Sequence, residues 1–515
     1  MVLYDVIRKG MTEYPERPAL LYKDTTLTYG HLGQMVNRFA NALIGAGIGQ
    51  GERVAILLPN VPPFTIAYYG AAAIGAVGVP ANPLLKAPEL IHIWGDADAK
   101  LVVTIPQLLP AVSEAARQVG IGTIVCVGPR DVVPEGIMTF DEFLASGSAD
   151  EPAATALDPN VPAVFIYTSG TTGKPKGAVL SHKNLLTNCR QILQVLEFEP
   201  DDNLLCVLPL FHSFAGTVCQ NAALYGGCRF TCVEQFVPAR VLEAIETKGV
   251  TIFPGVPAMY AALLQFASDR PEALAKVRLC VSGGAPMPVA LLEAFEKRFN
   301  TIIIEGDGPT ECSPVTSVNP PRGVRKVGTI GLPLNGVEMR IFDDNDREVP
   351  VGEVGEIVVR GDTVMLGYHN QPEETAAAMR NGWYHTGDLG KVDEDGYFSI
   401  VDRKKDMLIV GGINVYPREI EELLYTHPAI ADAAVIGAPD PLRGDEVVAV
   451  IMLKPNASLT AREVREFCRK SLANYKVPRR VIFRDEMPRS ATGKILKRML
   501  RKEMELGSNG PDPAE

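Results

Sequence analysis

The sequence predicts an α/β protein in which a large N-terminal unit of several layered sheets is followed by a small α+β unit. Three observations predict it. Over roughly the first 400 residues, helical periods alternate with short β-branched runs such as RVAILL, KLVVT, TIVCV, VTIFPG and RLCVSGG, as layered α/β domains require. Residues 346–401 then become β-rich, with a hairpin signal at Asp395-Gly396. At 515 residues the chain also exceeds what one hydrophobic core supports, so at least two independently packed units are expected.

Residues 64–85 carry no charge, a length that raises the question of a membrane span. Glycine, alanine and two prolines fill the second half, so a buried helix followed by a strand is the expected reading. Apolar residues make up 46% of the chain, as in a soluble globular protein, and the formal charge of −11 argues against general nucleic-acid binding. The nine cysteines show neither CxxC pairs nor zinc-type spacing, and no secretory signal opens the sequence, which together point to a reducing cytoplasm.

Residues 167–177, YTSGTTGKPKG, form the densest chemical signal. Glycines let backbone amides turn toward an anion, and Thr168, Ser169, Thr171, Thr172, Lys174 and Lys176 supply hydroxyl and ammonium donors around Gly170. A P-loop is excluded, because Gly170 and Gly173 are too close and Pro175 follows Lys174. The flanking AVFIY and GAVL read as strands, so the segment is a strand-to-strand loop suited to a polyphosphate, with a nucleotide the first candidate. Ser181 then caps a helix whose Leu185, Leu186, Cys189, Ile192, Leu193 and Leu196 share one face.

The charged stretch DRKKD, residues 402–406, has no apolar anchor and reads as a hinge. Beyond it come a helix starting at Pro417, strands in DAAVIGA and EVVAVIML, a helix capped by Thr460 with Glu463, the segment VIFRDE and a basic helix. The expected organisation is 1–403, 404–505 as a mobile cap, and a disordered tail over 506–515.

Taken in order, YTSGTTGKPKG, PLFHSFAG, SGGAP, GDGPTE, WYHTGDL, DRKKDMLIVGGINVYPREIE and PRSATGK span nearly the whole chain. This set resembles the adenylate-forming superfamily, which includes acyl-CoA synthetases, amino-acid adenylation domains and luciferases, and within it the acyl-CoA synthetase branch. The resemblance implies an ATP-dependent acid:CoA ligase: a carboxylate attacks the α-phosphate of ATP, and the thiol of coenzyme A then attacks the acyl-adenylate. It implies magnesium at Thr168 and Glu311, and Lys494 as the cation bridging carboxylate and α-phosphate. Asp388 would take both ribose hydroxyls with Arg403 beside it, and Gly284, Ala285, Pro286, Glu305, Gly306, Asp307, Gly308 and Thr310 would line the nucleotide site. Lys405 would be the pivot of the cap, and Gly411 and Gly412 would line the pantetheine path once it turns.

His212 occupies a position that gates the acyl pocket in this branch. Amino-acid adenylating relatives usually carry aspartate there for the substrate ammonium, so a plain carboxylic acid, medium-chain, long-chain or cyclic, is implied. Phe214, Val256, Pro257, Met259 and Cys312 would line that pocket. One departure stands out, since Asp307 replaces the aromatic residue that usually lies against adenine. Transfer to a carrier-borne thiol and a degenerate nucleotide-binding role are the competing readings, and Ile409 in place of an oxidation lysine argues against a light-emitting oxygenase. No membrane span is expected, and a homodimer is admitted.

Overall fold

The computed structural model describes residues 1–153, 157–169, 174–440, 442–490 and 493–507. Among them, two large and mostly parallel sheets of nine and eight strands build the N-terminal unit together with a five-stranded antiparallel sheet. The helix and strand of the uncharged stretch are buried, as expected. Helix Pro62–Ala73 begins on its own prolines and has ten of its residues in the core, and strand Val77–Pro80 is buried throughout. No helix among the described residues is long and apolar enough to cross a membrane.

Sheet order places the motifs. In the nine-stranded sheet, strands Asn203–Cys206, Ile252–Gly255, Leu279–Ser282 and Ile303–Asp307 run side by side and parallel. Their following loops therefore leave from one edge, where the carboxyl ends of parallel strands form a ligand crevice. Those loops are PLFH, Val256 onward, GGAP and GPTE.

In the eight-stranded sheet, Pro162–Ser169 and Pro175–Ser181 pair antiparallel with Thr168 opposite Lys176, so the described ends of YTSGTTGKPKG face each other across the pair. Ser181 caps helix His182–Leu196 by accepting from the Asn184 amide at 3.1 Å, and Asn184 returns the bond at 2.8 Å.

The smaller C-terminal unit has its own five-stranded sheet and its own apolar core around Val415, Ile420, Val435 and Ala449. Its spine is the hairpin of Ile430–Asp440 and Gly444–Leu453. Helix Pro417–Tyr425 crosses back to the large unit, where the Arg418 guanidinium donates to the Ile400 carbonyl at 2.8 Å and its amide to Asp402 Oδ2 at 2.9 Å. Thr460 caps Ala461–Arg469 with Glu463, as its sequence requires. The last helix runs Lys497–Gly507, which corrects the expected tail: residues 506 and 507 are helical, and residues 508–515 lie outside the described residues.

Candidate active site

The ribose end of the crevice is set by hairpin register. Strands Trp383–Val392 and Phe398–Arg403 pair so that Asp388 faces Arg403, and Arg403 Nε meets Asp388 Oδ1 at 2.6 Å. Thr386 Oγ1 accepts the Asp388 amide at 3.0 Å and fixes the turn. Burial raises the Asp388 pKa above its ordinary value, opposed by Arg403 and then Lys494. Asp307, at the end of Ile303–Asp307, belongs to the same electrostatic cluster. Burial and then Asp388 push its carboxyl up to about 6, while Arg403 and Lys494 pull the other way.

Lys494 enters this cluster from the small unit. Its loop is tied back on itself, with the Gly493 amide donating to Ser490 O at 2.9 Å and the Ser490 amide to Lys494 O at 2.8 Å. Gly493 holds φ at +81°, a conformation that side chains with a Cβ rarely adopt, and a Cβ there would lie 3.5 Å from Val256 Cγ2 of the large unit. Arg489 braces the loop by donating to Gly493 O at 2.5 Å and pairing with Asp432, which also accepts from Tyr425 at 2.6 Å. Lys494 as a whole residue is exposed, while its ammonium reaches in among the charges of the cleft. Arg403 beside it, then burial by the cleft walls, lower its pKa to about 8.

At the phosphate end, Glu311 is buried and its Oε1 accepts from Tyr368 Oη at 2.8 Å and from Thr168 Oγ1 at 3.4 Å. No described residue bonds Oε2. Hard oxygens in this number suit magnesium, which is held by one or two protein oxygens together with substrate phosphates. No cluster of three or more ligating side chains exists among the described residues, so the phosphates would have to complete the shell.

Lys176 departs from expectation. It is buried, its ammonium is paired with Glu374, and it stands 5.4 Å from the centre of the Tyr368 ring. Gly170, Thr171 and Thr172 lie outside the described residues.

The pocket expected for the acid is a narrow one of about 10 Å³ lined by Leu208, Pro209, His212, Phe214, Val256 and Gly284. His212 Nδ1 accepts from the Phe214 amide at 3.2 Å, so the proton of the neutral ring sits on Nε2. Burial and then Lys494 lower its pKa to about 4. Ser213 meets Thr310 at 3.0 Å and joins this loop to GDGPTE.

Gly308 is forced by contact, because a Cβ there would stand 1.9 Å from Pro314 O. Pro257, Met259 and Cys312 are buried but do not line the pocket, and Leu208 and Pro209, unremarked in the sequence, do.

Of the remaining sequence candidates, Gly284, Ala285 and Pro286 form the loop after Leu279–Ser282, and Gly306 pairs with Val318 beside Asp307. Glu305 is turned away from the ribose cluster. Its Oε2 accepts the Gly328 amide at 3.1 Å and faces Arg418, and burial raises its pKa to about 7. Lys405 is exposed, and no hydrogen bond or ion pair holds its side chain among the described residues. Its neighbours are held on either side: the Lys404 amide donates to Gly387 O at 2.9 Å, and Asp406 pairs with Arg501 at 2.7 Å. Gly411 and Gly412 turn the hairpin of Leu408–Val410 and Ile413–Val415, beside the tip of the long hairpin. Arg489 holds Lys494's loop to Asp432 near the other end, roughly 25 Å away along the strand at 3.3 Å per residue.

Comparison with known proteins fits this geometry. The AMP-binding enzyme family matches residues 7–369, and the AMP-binding enzyme C-terminal domain matches residues 419–494. A long-chain-fatty-acid--CoA ligase of Bacillus subtilis is 35% identical over 528 residues, covering 97% of this chain and 94% of its own. A feruloyl-CoA synthase of Amycolatopsis is 38% identical over 490 residues, covering 95% and 96%. Among solved structures, an anthranilate CoA ligase in complex with anthranoyl-AMP superposes with a TM-score of 0.93 at 30% identity, covering 99% of this chain and 98% of that one. ATP-bound MatB from Rhodopseudomonas palustris gives 0.91 at 32%, covering 98% and 99%.

The chain belongs to the AMP-binding enzyme family. Within it, the protein is an acid–thiol ligase that uses ATP, magnesium and coenzyme A to convert a carboxylic acid through its acyl-adenylate to the CoA thioester.

Proposed function

We propose that Lys494 is the cation that joins the two anionic reactants, and that the acid is a plain apolar one held between His212, Phe214 and Val256. The observation that carries this is the convergence of Lys494, from the small unit, with Asp388, Arg403 and His212, from the large one. Asp388 receives the ribose hydroxyls, Arg403 neutralises the carboxylates around them, and Lys494 reduces the repulsion as the acid's carboxylate approaches the α-phosphate. Magnesium, when bound by Glu311, Thr168 and the substrate phosphates, offsets the charge of the triphosphate.

Neutral His212 closes the pocket without placing a second positive charge beside the carboxylate. The cap spans 404–505 and turns at Lys405, which stands between a residue anchored on the large unit and one anchored on the small unit. Turning withdraws Lys494 and brings Gly411 and Gly412 from the other end of the hairpin to the thiol path.

The pocket encloses only about 10 Å³, the space of roughly one water, so its walls must move for any acid, and a flat ring asks the smallest movement. The fatty-acid ligase among the relatives favours a second reading, in which a longer chain displaces Phe214 or Val256. Incubation with ATP, magnesium, coenzyme A and a panel of benzoic, cinnamic, medium-chain and long-chain acids separates the two by AMP and thioester yield. No AMP with any acid would defeat both. Nine buried free thiols support a reducing cytoplasm, and light scattering would settle whether the chain is a homodimer.

A further inference from the structure

Tyr368 belongs to no motif assigned above, yet it touches both ends of the phosphate hairpin's neighbourhood. Its strand, Gly367–Tyr368, adds to the edge of Pro175–Ser181, with Tyr368 opposite Ala178 and the His369 amide donating to Gly177 O at 2.8 Å. Its own amide donates to Thr375 Oγ1 at 2.9 Å. Lys176 lies 5.4 Å from its ring centre and is neutralised by Glu374 of helix Pro372–Ala378, so the ring packs against a buried ion pair. The hydroxyl donates to Glu311 Oε1 at 2.8 Å. Thr168, opposite Lys176 in the hairpin, reaches the same oxygen at 3.4 Å. Both bonds fall on one carboxylate oxygen, which leaves the other without a partner among the described residues.

We infer that Tyr368 is a positioning residue for Glu311: it fixes the carboxylate so that Oε2 is presented to the magnesium–triphosphate, and the Lys176–Glu374 pair holds the ring in place. This rests on the reading of Glu311 and Thr168 as the metal-facing oxygens. Lys176 thereby acts as a strut under Tyr368 and not as a free phosphate donor. A carboxylate fixed through one oxygen binds the metal with less loss of side-chain freedom, so the effect belongs to metal affinity and not to the chemical step.

The test compares wild type, Tyr368→Phe and Glu374→Gln by calorimetric ATP binding with and without magnesium, and by adenylation rate against magnesium concentration. Tyr368→Phe keeps the ring and is expected to raise the magnesium midpoint about tenfold, within the 10–100-fold range of outer-shell substitutions, and to leave kcat at saturating magnesium within about twofold. ATP binding without magnesium stays as in wild type. Glu374→Gln shifts the midpoint in the same direction by about two- to threefold. An unchanged midpoint and unchanged magnesium enhancement of ATP binding in a folded Tyr368→Phe protein overturn the inference. Wild type whose ATP binding ignores magnesium overturns instead the reading on which it rests.

Discussion

The two ends of the nucleotide site are built differently. At the phosphate end, Thr168, Glu311, Tyr368 and Lys176 all come from the large unit and are fixed by strand pairing and short polar contacts. At the ribose end, Asp388 and Arg403 come from one hairpin of the large unit, but the lysine beside them is lent by a different domain on a loop of its own. Binding can therefore be pre-formed while chemistry depends on docking. On the proposed role of Lys494, the arrangement would keep the cation removable, as a second step at the same carbonyl requires.

The largest effect should come from the lent group. Lys494→Ala is expected to lower acid-dependent pyrophosphate exchange by about 10³-fold, the scale of losing one preorganised charge-stabilising donor. ATP binding should hold within a few-fold, and thioester formation from supplied acyl-adenylate should stay within about tenfold. Equal loss in both half-reactions would erase the contrast between binding and delivered chemistry.

The loop that carries the lysine should matter next. Arg489 bonds Gly493 O and Asp432, so Arg489→Ala frees the loop while leaving the ammonium in the chain. A loss of about 10–100-fold in adenylation is expected, the cost of misplacing a reacting group by about an ångström. Arg489→Lys restores part of it through Asp432. A drop in ATP binding of the same size would show that Arg489 supports the fold generally.

Much of this was legible in the sequence because the motifs sit where strands end. Gly170 to Thr172 aside, the β-branched run preceding GGAP marked a strand of a layered α/β unit, and the parallel strands found there deliver their loops to one edge. The Asp388–Arg403 pair was readable as two motifs but its contact is a consequence of hairpin register, which residue type does not report. Tyr368 was invisible, because its role arises from a two-residue strand pairing with one nearly two hundred residues earlier. The pairing of Lys176 was illegible for a related reason: its counter-ion, Glu374, is equally distant in sequence. Glu305 reads as part of the nucleotide loop but spends its carboxylate on Gly328 at the interface.

The pH profile sharpens the comparison further. Arg403 and burial lower the Lys494 pKa to about 8, so the free enzyme loses this charge above that pH. The ratio kcat/KM for ATP, which reports the free enzyme, should fall on its alkaline limb near pH 8. The limb of kcat should lie higher, since bound phosphates favour the ammonium. Arg403→Gln removes the largest cause and should move the kcat/KM limb upward. A limb that stays in place would show that another group sets it.

The smallest effect concerns Asp307, where an acid stands beside Asp388, the acid proposed to receive the ribose hydroxyls. Its carboxyl is raised to about 6 from an ordinary value near 4, by burial first and Asp388 second. The folded state therefore holds a proton that the unfolded chain releases, and stability declines as pH rises through that interval, with the full cost present above about 6. Asp307→Asn cannot ionise and escapes this cost. The variant should gain on wild type between pH 5 and 6.5 by about 1–3 °C in Tm and hold that gain at higher pH. Thermal melts across this range, without nucleotide, check the sign. A gap that is constant with pH would mean that Arg403 and Lys494 already neutralise Asp307 fully. The ribose end would then be as electrostatically settled as the phosphate end.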